Sequence, residues 1–188
     1  MRKDLGVKPA IFPMPVLMIA TYNEDGTVDC MNAAWGMMAD LNKVILNLTE
    51  THKTVKNIKE RRAFTVSIAD SSHVVESDFL GIVSANTLTD KFERSGLHAI
   101  KSNFVDAPVI EEYPITMECE FIEYQDGENG CGVVGKIVNV SADENVLDEK
   151  GNVLVDKLNA ILYDPFQHGY YQVGNKVGQA FSDGNKLK

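Results

Sequence analysis

Two apolar runs joined by a tight-turn signal constrain this chain more than any other feature. Residues 16–22 and 28–34 are short and β-rich, and Asn23-Glu24-Asp25-Gly26-Thr27 lies between them. Asp25-Gly26 is hairpin chemistry, because glycine supplies the positive φ that a two-residue turn needs. A second pair of longer runs, 115–124 and 132–141, flanks the turn-rich Gln125-Asp126-Gly127-Glu128-Asn129-Gly130. Further strands are expected at 43–48 and 63–69. Hairpin-joined strands lie antiparallel, and closing such a sheet into a barrel hides its edges. A doubly wound parallel sheet would need regular strand–helix alternation, which is absent. The fold class is therefore mainly β with added helices, built on an antiparallel barrel.

Three helices interrupt the strands. In 51–62, Val55 and Ile58 stand three apart with polar residues between them, and Thr51 is placed to cap the start. A second is expected over 71–80, capped by Ser71 or Ser72, and a brief third over 89–94. Pro9, Pro13 and Pro15 exclude helix and central strand, so residues 1–14 read as an extended arm. From Asn159 onward the chain is short apolar pieces broken by Pro165 and several glycines. No repeat, low-complexity tract or long linker divides it, and 1–188 reads as one domain.

Composition narrows the function. Apolar residues make up 44% of the 188, enough for a buried core. The net charge of −9, from 27 acidic and 18 basic residues, opposes general binding to nucleic acid or anionic membranes. It leaves room for a small basic pocket holding an anionic ligand. No apolar stretch approaches the ~20 residues of a membrane span, and the first six residues lack the apolar region of a signal peptide. The expected location is cytoplasmic. Cys30, Cys119 and Cys131 are odd in number and form no CxxC, which fits a reducing compartment. Cys30 and Cys119 sit in strand runs and read as buried hydrophobes, whereas Cys131 in Gly130-Cys131-Gly132 reads as a turn.

No GxGxxG, GxxxxGK[ST] or GxSxG motif occurs. His52, His73, His98 and His168 are scattered without metal-ligand spacing, so no metal site is expected. Three segments remain as candidates. The first is Thr49 to Ile58, where a strand runs into a helix. A helix start offers unpaired N–H groups and the positive end of its dipole to a phosphate, and His52, Lys53 and Thr54 add a cation and hydroxyl donors. Read blandly, it is a solvated helix start. The second is Met31-Asn32-Ala33-Ala34-Trp35-Gly36, whose small side chains let a heteroaromatic ring approach a strand backbone. The bland alternative is a strand end with Trp35 filling the core. The third, Gly81 to Phe92, is rich in hydroxyls and ends in Lys91 and Phe92. It is either a binding loop or a surface connection.

Taken together and in this order, these segments resemble the flavin reductase-like family, the FMN-binding split barrels that include flavoredoxins and NAD(P)H:FMN oxidoreductases. The resemblance rests on Pro15-Val16 running into Thr21 with Asp25-Gly26, then Asn32-Ala33-Ala34-Trp35-Gly36, His52-Lys53-Thr54 with Asn57-Ile58, Gly81 to Ser84, and Asp90-Lys91-Phe92. Ala107-Pro108-Val109-Ile110-Glu111, Glu118-Cys119 and Tyr171-Gln172-Val173-Gly174 extend it over roughly residues 9–180. Within 84–87 the chain lacks the glycine of many members, and between Asn42 and Glu60 it has no arginine, so charge pairing to a phosphate would rest on Lys53 and Lys56.

The resemblance implies a Greek-key split β-barrel of the FMN-binding type, a homodimer, and non-covalent FMN near the subunit interface. It places the flavin ring along Asn32, Ala33, Ala34 and Trp35 and the phosphate near His52, Lys53, Thr54 and Asn57. Ser84, Lys91 and Phe92 would belong to the covering loop. The implied activity is an FMN-dependent oxidoreductase with NAD(P)H as electron donor, the hard chemistry belonging to the flavin, so no catalytic side chain is expected. Two alternatives stand beside it. One is a flavoredoxin-like carrier exchanging electrons with a redox partner protein, and the other is a flavin- or heme-binding module without turnover.

Overall fold

The computed structural model describes residues 1–126 and 132–188. In chain order the strands and helices are β1 (Met14–Pro15), β2 (Leu17–Tyr22), β3 (Val28–Ala33), β4 (Gly36–Asp40), β5 (Lys43–Leu46), α1 (Lys53–Arg61), β6 (Ala63–Ile68), α2 (Val74–Ile82), α3 (Lys91–Ser95), β7 (Ala99–Lys101), β8 (Pro108–Ile110), β9 (Ile115–Gln125), β10 (Gly132–Ala142), β11 (Ile161–Asp164) and β12 (Gly169–Gln172). The main sheet runs β3-β2-β6-β9-β10-β5-β4, and its pairs are antiparallel. A smaller sheet, β1-β11-β12, brings the end of the chain back to its start. β1 is an edge strand, the one sheet position that its proline tolerates.

The run at residues 16–20 is apolar without alternation because both of its faces are covered. Leu17 and Ile19 point into a cluster with Val44, Leu46, Val55, Ile58, Phe64 and Val133, inside the curl of the sheet and under α1. Val16, Met18 and Ala20 point the other way, into a cluster with Leu80, Phe92, Ile110 and Ile161 beneath α2, α3 and the terminal hairpin. The sheet curls where β10 slips register against β9, once at Val134/Gly135 and again at Ile137/Asn139. Gly135 is needed there, because a Cβ would lie 2.3 Å from the Phe64 ring.

The first hairpin and the long β9–β10 pair match the sequence reading. The helices start later than expected. α1 begins at Lys53 with His52 as its N-cap, so Thr51 does not cap it. α2 begins at Val74 after His73, and neither Ser71 nor Ser72 caps it. α2 has no side-chain cap; Asp70 instead holds the turn before it, its carboxylate accepting the N–H of Ser72 (2.7 Å) and of His73 (3.1 Å). α3 begins at Lys91. Strands β4, β7 and β8 and the hairpin β11–β12 went unread. β4 is an exposed edge, and Pro165 falls in the turn of the last hairpin. Cys30 and Cys119 are fully buried, as expected. Cys131 lies outside the described residues. Among the described residues no helix is long and apolar enough to cross a membrane.

Candidate functional site

The end of β3, the start of α1 and the C-terminal end of α2 enclose two neighbouring chambers. The larger, about 320 Å³, is lined by Asn32, Ala33, Ala34 and Trp35 together with Asp78, Tyr163 and Tyr170. The smaller, about 140 Å³, is lined by Lys53, Thr54, Val83, Ser84, Ala85 and Lys91. Met31, His52, Gly81 and Ile82 line both, so the two chambers are neighbours. A larger cleft of about 780 Å³ lies beside them, bounded by the β2–β3 turn and by α3. Its lining carries Glu24, Asp25, Asp90 and Glu93 against Lys53, a charge balance unsuited to an anion.

The larger chamber has a floor of small side chains and an aromatic wall. Trp35 is 47% exposed and stands 6.2 Å from the Tyr163 ring, so it does not fill the core. Tyr163 in turn lies 6.2 Å from Tyr170. The Tyr170 hydroxyl donates to Asp78 Oδ1 (2.8 Å), and burial followed by this carboxylate pushes its pKa up. Asn32 donates to the Ser77 carbonyl (3.0 Å). Gly81 faces that amide, and a Cβ there would sit 2.8 Å from Asn32 Cγ. The glycine leaves the space in which Asn32 lies.

The smaller chamber sits at the start of α1. Lys56 is the residue whose N–H reaches back to the His52 carbonyl (3.2 Å), so the N–H groups of Lys53, Thr54 and Val55 have no helical acceptor. The His52 side chain makes no cap bond. Its Nδ1 is buried without a hydrogen-bond partner. Burial, and next the nearby Lys91 ammonium, hold the imidazole below its ordinary pKa.

Beneath this chamber lies a buried ion pair. Lys91 (3% exposed) and Asp29 (1%) approach to 3.6 Å. Thr54 donates its hydroxyl to Asp29 Oδ2 at 2.5 Å. Lys91 also donates to the carbonyls of Leu80 and Val83, each at 3.3 Å, at the C-terminal end of α2. β3, α1, α2 and α3 are thus tied at one point. Asn86 adds a bond from the following loop to the Thr51 carbonyl (3.0 Å).

Of the residues singled out in the sequence, Asn32, Ala33, Ala34, Trp35, His52, Lys53, Thr54, Ser84 and Lys91 border the chambers. Asn57 and Phe92 do not. Asn57 is fully buried, and its amide donates to Thr21 and Asn23, bracing the first hairpin. Phe92 packs in the second core cluster and borders the acidic cleft. Gly81, where the third candidate segment begins, also lines both chambers, while sequence reasoning missed Asp29, Asp78, Tyr163 and Tyr170.

Residues 10–171 match the family model described as "Flavin reductase like domain". The chain belongs to the flavin reductase-like family. Its structure is similar to the flavoredoxin of Desulfovibrio vulgaris (Miyazaki F), with a TM-score of 0.92 and 32% identity over 98% of this chain and 100% of that one. A flavoredoxin from Methanosarcina acetivorans gives 0.87 at 23% identity, covering 100% and 98%. An FMN-binding protein from Thermus thermophilus gives 0.76 at 18%, covering 95% and 99%. The fold is the split barrel of flavin reductases, and family membership carries a flavin cofactor and flavin-linked oxidoreductase chemistry as the functional class.

The residues of this flavin reductase-like chain fit such a group. A helix start with open N–H groups and a lysine suits a phosphate. A chamber with a small-residue floor and an aromatic wall suits a ring system. An orphaned buried imidazole nitrogen between the two awaits a polar partner.

Proposed function

We propose that this chain holds FMN non-covalently and works as a flavin oxidoreductase that takes electrons from NAD(P)H. One observation carries the reading: a chamber at a helix start adjoins, through shared lining residues, a chamber floored by Ala33 and Ala34 and walled by Trp35, Tyr163 and Tyr170. The chemistry of the two linings suits a phosphate joined to a heteroaromatic ring. In this reading Asn32 to Trp35 run along the ring. His52, Lys53 and the first-turn N–H groups hold the phosphate, and Ser84 closes over it. Thr54 and Lys91 border the phosphate chamber with their polar groups already committed to Asp29. Asn57 and Phe92 support from behind.

When bound, the flavin supplies the hydride and electron chemistry. The chain's part is to bind, to orient the ring, and to exclude water with the aromatic wall. Asp78, held by Tyr170, adds a fixed acceptor at the ring chamber.

A second reading is an electron carrier that keeps its FMN and serves a protein partner. It is supported by the likeness to two flavoredoxins and by the acidic cleft beside the site, which offers Lys53 alone to the phosphates of a dinucleotide. We further propose a homodimer in the cytoplasm. Trp35, Met37, Met38 and Leu41 crowd an exposed edge next to the ring chamber, an apolar patch of the kind that interfaces cover.

Lys53→Ala tests the phosphate end. A charge-assisted contact is worth about 1.5–3 kcal/mol, so FMN affinity should fall roughly ten- to hundredfold. Riboflavin affinity and the melting temperature of the flavin-free protein should hold. Unchanged FMN affinity would remove Lys53 from the site. Rapid anaerobic bleaching of bound flavin by NADH or NADPH supports the reductase reading. Bleaching only by dithionite or a reduced protein supports the carrier.

A further inference from the structure

His52 occupies a position that phosphate binding alone does not explain. Among the described residues three buried side-chain atoms lack a hydrogen-bond partner: Asp29 Oδ1, Asn57 Oδ1 and His52 Nδ1. The Asp29 atom faces the Lys91 ammonium, and Asn57 borders neither chamber. His52 borders both. An N-cap side chain ordinarily satisfies a first-turn N–H. This imidazole does not, so it and those N–H groups all stand open to a ligand.

We propose that His52 tells a phosphorylated flavin from an unphosphorylated one by taking up a proton at its imidazole when the phosphate arrives. The inference rests on the FMN reading above.

The charges around His52 make its protonation conditional. Lys53 on its own helix, Lys91 from α3 and the positive end of α1 all oppose an imidazolium. Asp29 from β3 favours one, but its carboxylate is already shared by Lys91 and Thr54. Asp78 from α2 borders the larger chamber and accepts from Tyr170. Burial adds to the opposition, and the imidazole is held neutral at neutral pH. A phosphate dianion against the α1 start reverses that balance, because it lies within reach of His52 while Asp29 stays engaged elsewhere. The imidazolium then donates from Nδ1 and satisfies the orphaned atom. Riboflavin brings no such charge and leaves His52 neutral.

The sign of the pH dependence follows. Burial and the nearby Lys91 ammonium hold the flavin-free value below 6.5, and proton uptake on binding requires the FMN-bound value to lie above it. Between the two, FMN binding weakens as pH rises, by up to about tenfold per pH unit. The phosphate itself loses its second proton near pH ~6, so above about pH 7 it arrives as the dianion and the proton taken up belongs to the protein.

Titration calorimetry between about pH 7 and 8, in two buffers of different ionisation enthalpy, tests this with FMN and riboflavin on the wild-type protein and on His52→Asn. Asparagine keeps a polar atom near the Nδ1 position but cannot titrate. The wild type should take up as much as about one more proton with FMN than with riboflavin, and the variant should show no difference. Histidine-ring NMR of the wild type gives the same answer without relying on the variant's folding, with the His52 signal moving to its protonated position on FMN addition and not on riboflavin addition. Equal proton uptake by wild type and variant, or a His52 ring that stays neutral with FMN bound, overturns the inference and leaves FMN binding standing. Failure of both flavins to bind overturns the FMN reading and this inference with it.

Discussion

Asp29 and Lys91 decide how mutations at the site should be read. The two charges are almost wholly buried, and each is neutralised by the other and by polar neighbours. Removing one partner of such a pair costs about 3–5 kcal/mol, because the other is left as an uncompensated buried charge. Lys91→Met should therefore lower flavin-free stability by about that amount in denaturant melts, and Asp29→Asn added to it should restore much of the loss. A double variant no more stable than Lys91→Met would deny the coupling. Thr54→Ala is likewise not a clean ligand-site probe. It strips a hydrogen bond from Asp29, at about 1–3 kcal/mol, whereas Lys53 at the rim can be changed without that penalty. The sequence showed Lys53 and Lys91 but not their different roles. Asp29 was unreadable as a partner because it sits in a β-strand run 62 positions before Lys91, and burial of that kind leaves no local pattern.

The thiols give a second residue-scale test. Burial, and then neighbouring carboxylates, push Cys30 upward and bring Cys119 to about 12. Both stay protonated in the folded chain well past the ordinary thiol value of about 8.5. The unfolded chain then loses protons first, so stability is full below that value and falls as pH rises through it toward 12. Melting temperature should decline steadily above about pH 9, and a thiol reagent should leave Cys30 and Cys119 unmodified in the native state. Rapid labelling of either without unfolding would contradict their placement.

At the scale of elements, α2 carries two informative positions. The turn leading into it is held by Asp70, which accepts the N–H of Ser72 and of His73, so Asp70→Ala should cost about 0.5–1.5 kcal/mol per lost hydrogen bond, and Ser72→Ala much less, in thermal melts. Its end carries Gly81, packed against the Asn32 amide. Gly81→Ala should raise helix propensity by about 1 kcal/mol yet displace Asn32 from the Ser77 carbonyl. The expected result is near-unchanged flavin-free stability with weaker FMN binding, and stronger binding would overturn the packing argument. The sequence made α1 and the long hairpin plain, because a polar–apolar period and turn residues mark them. It hid the start of α2, because Ser71 and Ser72 do not cap it and Asp70, directly before them, holds the preceding turn instead. It also hid β11–β12, where Tyr163 and Tyr170 reach the site. Asn32 and Tyr170 meet across 138 positions, and no window of sequence reveals such a contact.

For the whole molecule, the antiparallel character of the main sheet was legible, while its strand order and the assembly were not. Antiparallel pairing followed from hairpins, and family membership from an ordered set of short segments, each weak alone. The exposed edge at β4 and the extended ends, where Val177, Phe181 and Leu187 are almost fully exposed, fit a chain that buries more surface against a second copy. Sedimentation equilibrium should give twice the 20.8 kDa chain mass, and a monomer at all concentrations would refute the dimer.

The central claim is that the two chambers hold FMN. The most direct test is the absorption spectrum of the purified protein, before and after stoichiometric FMN followed by desalting. Flavin bands that stay with the protein, and that Lys53→Ala loses, are the result expected. A colourless protein that fails to retain added FMN would contradict the account at its base.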